Sequence, residues 1–191
     1  MLTRLYCDNY KCLVNFEFKP TAFQLLMGRN GAGKTTVFEV LALIRDFALR
    51  GDSCEGRLAG KTRTRWQDLP EQRFELDVTG NGGDYQYQLT VDEWWRPAAP
   101  RVRKETLSFN GGKLYLFENG TVHLYNDRFE DRTQFPLLPR RSFLSEIEAR
   151  PENSRLMWFK AWLDRITTVQ IDPKKMRTSE APTEVKRLLR R

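Results

Sequence analysis

Gly28-Arg29-Asn30-Gly31-Ala32-Gly33-Lys34-Thr35-Thr36 is the stretch whose reading decides the fold. Its spacing, Gly-x-x-x-x-Gly-Lys-[Ser/Thr], is that of a phosphate-binding loop. A chain that wraps an anion must aim successive backbone N–H groups inward, and glycine is needed where a side chain would strike phosphate oxygens. A helix opening at Lys34 adds unpaired amides and the positive end of its dipole. In that setting Lys34 reaches the β- and γ-phosphates, the Thr35 hydroxyl holds Mg²⁺, and Thr36 serves the α-phosphate region. The bland alternative is a glycine-rich turn ahead of an ordinary helix.

The flanks fit the first reading. Phe23-Gln24-Leu25-Leu26-Met27 reads as a strand running into the loop. After it, Val37, Val40, Leu41, Ile44, Phe47 and Ala48 recur at helical spacing, with Gly51 as the stop. Upstream, residues 2–7 and 13–18 read as a hairpin around Asp8-Asn9-Tyr10-Lys11, and Pro20 ends its second strand. Downstream, residues 52–72 are polar, with Lys61, Arg63 and Arg65 before Trp66. A meander of four or five antiparallel strands follows. Phe74, Leu76 and Val78 alternate, Gly80-Asn81-Gly82-Gly83 turns, and Tyr85, Tyr87, Leu89 and Val91 share one face of the return strand. Asn110-Gly111 and Asn119-Gly120 mark two more turns, and Pro136 and Pro139 a loop. Residues 142–149 then read as helix, and Pro151 restarts a helix striped by Leu156, Phe159, Leu163 and Ile166. A short strand is expected at 168–171 and a basic tail at 174–191. The expected organisation is an ATP-binding lobe over 1–139, the start of a helical subdomain over 140–173, and that tail.

Composition narrows the class. The chain has 191 residues, 40 % of them hydrophobic, and a formal net charge of +7, enough for one ordinary core. No apolar run approaches the ~18 residues of a membrane span, and the opening residues lack the pattern of a secretory signal. Cys7, Cys12 and Cys54 show no metal-ligand clustering and fit reduced thiols, so a soluble cytoplasmic protein is expected. Residues 140–191 carry 13 basic and 7 acidic side chains, a net +6, whereas the first 139 residues carry 19 and 18. A basic end admits DNA as a partner, although such runs often only solvate a surface.

The finer spelling of the loop resembles the G-x-N-G-x-G-K-[ST]-T form of ABC-type ATPases. Asn9-Tyr10-Lys11-Cys12-Leu13 resembles the N-[FY]-[KR]-[SC]-[FL] opening of the SMC/RecF/OLD-like branch, the AAA-type ATPases of repair and defence systems. The resemblance extends more loosely through Arg65-Trp66, the hairpin of residues 74–91 and residues 151–173. It implies an α/β P-loop NTPase fold, an ABC/SMC-like head lobe with an antiparallel β-subdomain, incomplete toward the C-terminus. It further implies ATP and Mg²⁺ as ligands, with Gly28, Asn30, Gly31, Ala32, Gly33, Lys34, Thr35 and Thr36 around the nucleotide and Thr35 on the metal. Lys11 and Cys12 lie beside the nucleotide by the same resemblance. Family members dimerise with ATP as glue, so a dimer or a complex with a second ATPase half, acting in DNA repair, recombination or anti-phage defence, is implied.

Several expected parts are not found in the sequence. Leu107-Ser108-Phe109-Asn110-Gly111-Gly112 mimics the family's signature loop but reads as a hairpin turn. Leu89-Thr90-Val91-Asp92-Glu93 mimics a Walker B run, yet its strand alternates instead of being apolar throughout. Ile171-Asp172 continues into Pro173 without a catalytic Glu. Gln134 is the nearest candidate for a Q-loop glutamine, with Arg140 and Arg141 in the matching stretch; His123 reads as a sheet-surface residue. The catalytic residues are therefore unassigned. Two other readings stand: a small nucleotide or metabolite kinase, which needs alternating β–α units and an arginine-bearing lid, and a non-catalytic nucleotide-binding scaffold. A GTPase would require an Asn-Lys-x-Asp motif that the sequence lacks.

Overall fold

A computed structural model describes residues 1–58, 60–93 and 100–169. Eight strands form one antiparallel sheet: β1 (Leu2–Asp8), β2 (Phe16–Phe18), β3 (Glu71–Gly80), β4 (Gly83–Asp92), β5 (Arg101–Phe109), β6 (Gly112–Glu118), β7 (Thr121–Tyr125) and β8 (Asp131–Pro136). Their order is β2-β1-β3-β4-β5-β6-β7-β8. From β3 onward every strand pairs with its successor, and three of the connections are two-residue turns. Asn81-Gly82, Asn110-Gly111 and Asn119-Gly120 all take positive φ, the conformation of a tight hairpin turn that matches the right-handed twist of its strands. The meander is thus six strands long and exceeds the expected four or five. Residues 131–136, expected as loop, form β8, since Pro136 occupies an edge strand where a missing N–H is tolerated.

Helix α1 (Lys34–Arg50) buries Val37, Val40, Ile44, Phe47 and Ala48. The short helices α2 (Cys54–Arg57) and α3 (Phe143–Glu146) and the longer α4 (Ser154–Asp164) complete the helical layer. Expected helix at 142–149 contracts to α3, whose Ser142 Oγ accepts from the Leu144 amide as an N-cap. Helix α4 starts where Asp127 accepts from the Ser154 and Arg155 amides at 2.9 and 3.1 Å, while Arg155 lies over the Phe109 and Phe129 rings. Tyr85 stacks on Trp158 with ring centroids 4.9 Å apart. Trp158 also covers Gly80, where a Cβ would stand 2.3 Å from the indole. Phe143, Leu144, Leu156, Phe159 and Leu163 share one core with the strands.

Beneath this layer Glu105 is fully buried. Its carboxylate accepts from Tyr87 and Ser142 hydroxyls at 2.7 and 2.5 Å and from the Phe143 amide at 2.9 Å. Burial pushes its pKa above the usual carboxylate range, the three donors opposing.

Three expectations change at the front of the molecule and its end. Residues 23–27 form no strand, and Phe23, Leu25 and Met27 are 88, 68 and 83 % exposed. Strand pairing needs a neighbour, and none of the eight strands pairs with this segment. The second strand of the first hairpin shortens to Phe16–Phe18, because Leu13 closes a tight turn with Tyr10. Thr168 and Val169 lie outside any strand, while residues 170–171, Asp172 and the tail at 174–191 fall outside the described residues. The alternating β–α units of a small kinase do not occur among the described residues, which run from α1 and α2 into an antiparallel meander.

Candidate functional site

The loop ahead of α1 folds as its glycine pattern requires. Gly31 and Gly33 take φ of 84° and 88°, where a residue with a Cβ is strained by about 1–2 kcal/mol. The space above Gly31 is open, whereas a Cβ on Gly33 would lie 2.9 Å from Cys12 Sγ. The two glycines therefore answer different needs, one conformational and one also steric. Gly33 caps α1 without any side-chain hydrogen bond, leaving the first amides of the helix, those of Lys34, Thr35 and Thr36, free of capping partners. The first helical bond in this turn runs from Val37 N to Gly33 O at 3.2 Å. Ala32 N donates to Arg29 O, also at 3.2 Å, and closes the bend.

Lys34 stretches back across the loop. Its Nζ donates to Gly28 O at 2.6 Å and to Arg29 O at 2.8 Å, so the ammonium lies over the bend that phosphate oxygens would enter. Thr35 is exposed, while Thr36 is buried with its hydroxyl 3.8 Å from Cys12 Sγ. Asn30 and Ala32 are exposed on the rim. These residues fit a nucleotide triphosphate: positive-φ glycines, free amides and one ammonium converge on a single open bend. Among the described residues no group of three or more His, Cys, Asp or Glu could hold a metal.

The turn after β1 wedges against this loop. Cys12 touches Gly33 and Thr36. Lys11 has φ of 52°, its amide donates to Thr62 O at 2.6 Å, and its Nζ pairs with Glu39 of α1 at 2.7 Å. Asn9, read from the sequence only as part of this turn and its opening motif, is the hub. Fully buried, it donates to Leu69 O and Glu71 O at 2.8 and 2.7 Å and accepts from the Thr64 amide at 3.1 Å. Gln72 Nε2 donates to its carbonyl at 2.9 Å. Residues 62–72 are in this way latched to the turn that contacts the phosphate loop, which brings Arg63 and the exposed Arg65 and Trp66 to the same end of the sheet. The signal for Asn9 was its place between a strand and a basic turn; its partners, some 60 residues later, left none.

The other residues singled out are spent on structure. Asp92 pairs with Arg101 at 2.9 Å, and Glu93 accepts from the Gly60 amide at 3.0 Å beside Arg63. Leu107–Phe109 end β5 and Asn110-Gly111 turn into β6, a hairpin as read from the sequence. His123 pairs across the sheet with Leu116 and Gln134. Gln134 bonds Asp131 on β8, six strands from β1 and its turn. Cys7 and Cys54 are buried, and desolvation pushes the Cys54 thiol up to about 12, which leaves both inert. No described helix is long and apolar enough to cross a membrane.

Comparison with known proteins agrees with this geometry. No curated protein is significantly similar to the chain in sequence. Residues 25–143, well over half the chain, match the protein family described as "AAA domain, putative AbiEii toxin, Type IV TA system". With its phosphate loop inside that match, the chain belongs to this AAA-domain family of P-loop nucleoside triphosphatases.

Proposed function

We propose that this chain is the ATP–Mg²⁺-binding lobe of an SMC/RecF/OLD-like ATPase that works with a second ATPase half in anti-phage defence or DNA repair. The observation that carries the reading is the bend at Gly31 and Gly33, with the α1 amides and Lys34 Nζ turned onto it. Lys34 leaves its two carbonyl acceptors for phosphate oxygens, and the helix amides supply donors already in place. Thr35 offers its hydroxyl to the metal, which on binding screens the charge of the phosphates. Cys12 and Lys11 stand at the wall of the site, and Asn9 holds the arginine-bearing segment beside it. Orienting an attacking water requires a further group, and Asp92 and Glu93 are engaged elsewhere. Turnover is therefore assigned to groups contributed by the second half. The defence setting follows from the family's description as a toxin of a toxin–antitoxin system; DNA as a partner follows from the basic residues of 140–191.

Calorimetric titration with ATP–Mg²⁺ tests the reading. The wild-type chain binds with micromolar affinity, and Lys34→Ala weakens binding at least about 100-fold, some 2.7 kcal/mol. Its melting temperature stays within about 2 °C, since the side chain supports no core contact. Unchanged affinity in Lys34→Ala, with a collapsed melting temperature, would identify the loop as a purely structural turn. Rapid phosphate transfer to a small acceptor by the chain alone would favour the kinase reading.

A further inference from the structure

Trp66 stands in solvent on a turn that is firmly held. Its side chain is 70 % exposed, whereas Trp158 and Trp162 pack against the core. Both sides of the turn are pinned. Thr64, itself buried, donates its amide to Asn9 Oδ1 at 3.1 Å, and Gln67 N donates to Thr64 O at 3.4 Å. Beyond the ring, Asn9 Nδ2 and Arg63 Nη1 both donate to Leu69 O, at 2.8 and 3.3 Å. Lone exposed apolar residues are ordinary on a protein surface. An indole displayed from a buried hydrogen-bond network at the edge of an anion-binding loop is a fixed platform.

A short chain of contacts places that platform. Cys12 Sγ abuts Gly33 and lies 3.8 Å from Thr36 Oγ1. Its neighbour Lys11 donates its amide to Thr62 O at 2.6 Å, four residues before Trp66. On the nucleotide reading above, the loop lysine meets the β- and γ-phosphates, here from its position over Gly28 and Arg29. The α-phosphate then falls toward Thr36 and the Cys12 wall, and the nucleoside leaves the loop across Lys11 toward residues 62–66. Tyr10, an aromatic of the same wall, is 4 % exposed and packs edge-on against Phe74 with ring centroids 5.7 Å apart. It has no free face for a base; Trp66 has one. We infer that the Trp66 indole stacks on the purine ring of a nucleoside triphosphate whose phosphates lie in the bend at Gly31 and Gly33. Such offset stacking needs only a flat π-face on each partner. The inference rests on the nucleotide reading and supplies a contact for the half of the ligand that the phosphate loop leaves untouched.

Titration calorimetry of the full chain with ATP and with inorganic tripolyphosphate, each with Mg²⁺, tests the inference, because the two ligands share phosphates and differ in the nucleoside. Trp66→Ala should weaken ATP binding at least about fivefold, the low end of what one base–aromatic stack contributes, and leave tripolyphosphate binding within about twofold. Trp66→Phe keeps a smaller ring and should recover most of the ATP loss. Both variants should melt with the wild type, since the exposed ring supports no core. In the wild-type chain ATP should quench tryptophan emission and tripolyphosphate should not, and the quench should disappear in Trp66→Phe. Lys34→Ala should weaken both ligands, so that the phosphate loop and the platform are read apart. Wild-type binding of both ligands with undiminished ATP affinity in Trp66→Ala would overturn this inference alone. Binding of neither ligand by the wild type would overturn the nucleotide reading and this inference with it. Equal losses of ATP and tripolyphosphate in Trp66→Ala would make the residue a structural prop of the loop. Undiminished ATP affinity together with lost binding of an oligothymidylate would assign the ring to single-stranded nucleic acid instead.

Discussion

Two glycine-rich regions of the molecule make opposite use of the same backbone conformation. In the meander, Asn81-Gly82, Asn110-Gly111 and Asn119-Gly120 take positive φ and return the chain onto itself. Their donors and acceptors are consumed at once, for example Asn110 Oδ1 by the Asp84 amide at 2.8 Å. In the loop before α1, Gly31 and Gly33 take similar angles, yet the bend has no side-chain cap and only a lysine folded over it. Identical local geometry closes a structure where hydrogen bonds are satisfied internally and builds a binding site where they are left for a ligand.

The largest expected effect on the structural side of this comparison is at Asn9. Asn9→Ala removes the acceptor of the Thr64 amide and the donor to two carbonyls, all in buried surroundings. A loss of about 3 kcal/mol in urea unfolding is expected, with weaker ATP binding as residues 62–72 loosen. A loss below 1 kcal/mol would mean that these hydrogen bonds are replaced by water. Next comes Gly80→Ala, which drives a methyl into the Trp158 ring. It should cost about 1–3 kcal/mol while leaving ATP affinity intact, separating the packed half from the binding half. Smaller still, Gly31→Ala and Gly33→Ala share the positive-φ strain, but Gly33→Ala also meets Cys12. A second substitution, Cys12→Ala, should recover part of the Gly33→Ala loss in melting temperature and none of the Gly31→Ala loss.

The pH response offers a weaker test. Burial raises the Glu105 pKa in the folded protein, so the native state holds a proton that the unfolded chain has already released. Stability must then decline as pH rises from the ordinary carboxylate range through the raised value, and it levels off above it. Glu105→Gln removes this contribution, and thermal melts between about pH 4 and 7 should show a flatter profile than wild type. A steeper decline in the variant would place the titration on another group. Weak DNA binding, if driven by the basic residues, should fade steeply with salt.

Much is legible in the sequence itself. The phosphate loop is contiguous, so its Gly, Lys and Thr positions carry their own instructions, and Asn-Gly pairs announce their turns. What the sequence could not supply was the destination of long-range bonds. Nothing near Asn9 announces Leu69 or Gln72, and nothing near Glu105 announces Tyr87 and Ser142. Residues 23–27 read as a strand because alternation is local, but a strand exists only where a neighbour completes the ladder. Local backbone chemistry, then, fixed the loop, the hairpins and the start of α1 from the chain alone. Tertiary structure decided the eight-strand order, the burial of Asn9 and Glu105 and the bare flank before the phosphate loop, because these depend on which distant groups meet and which find no partner.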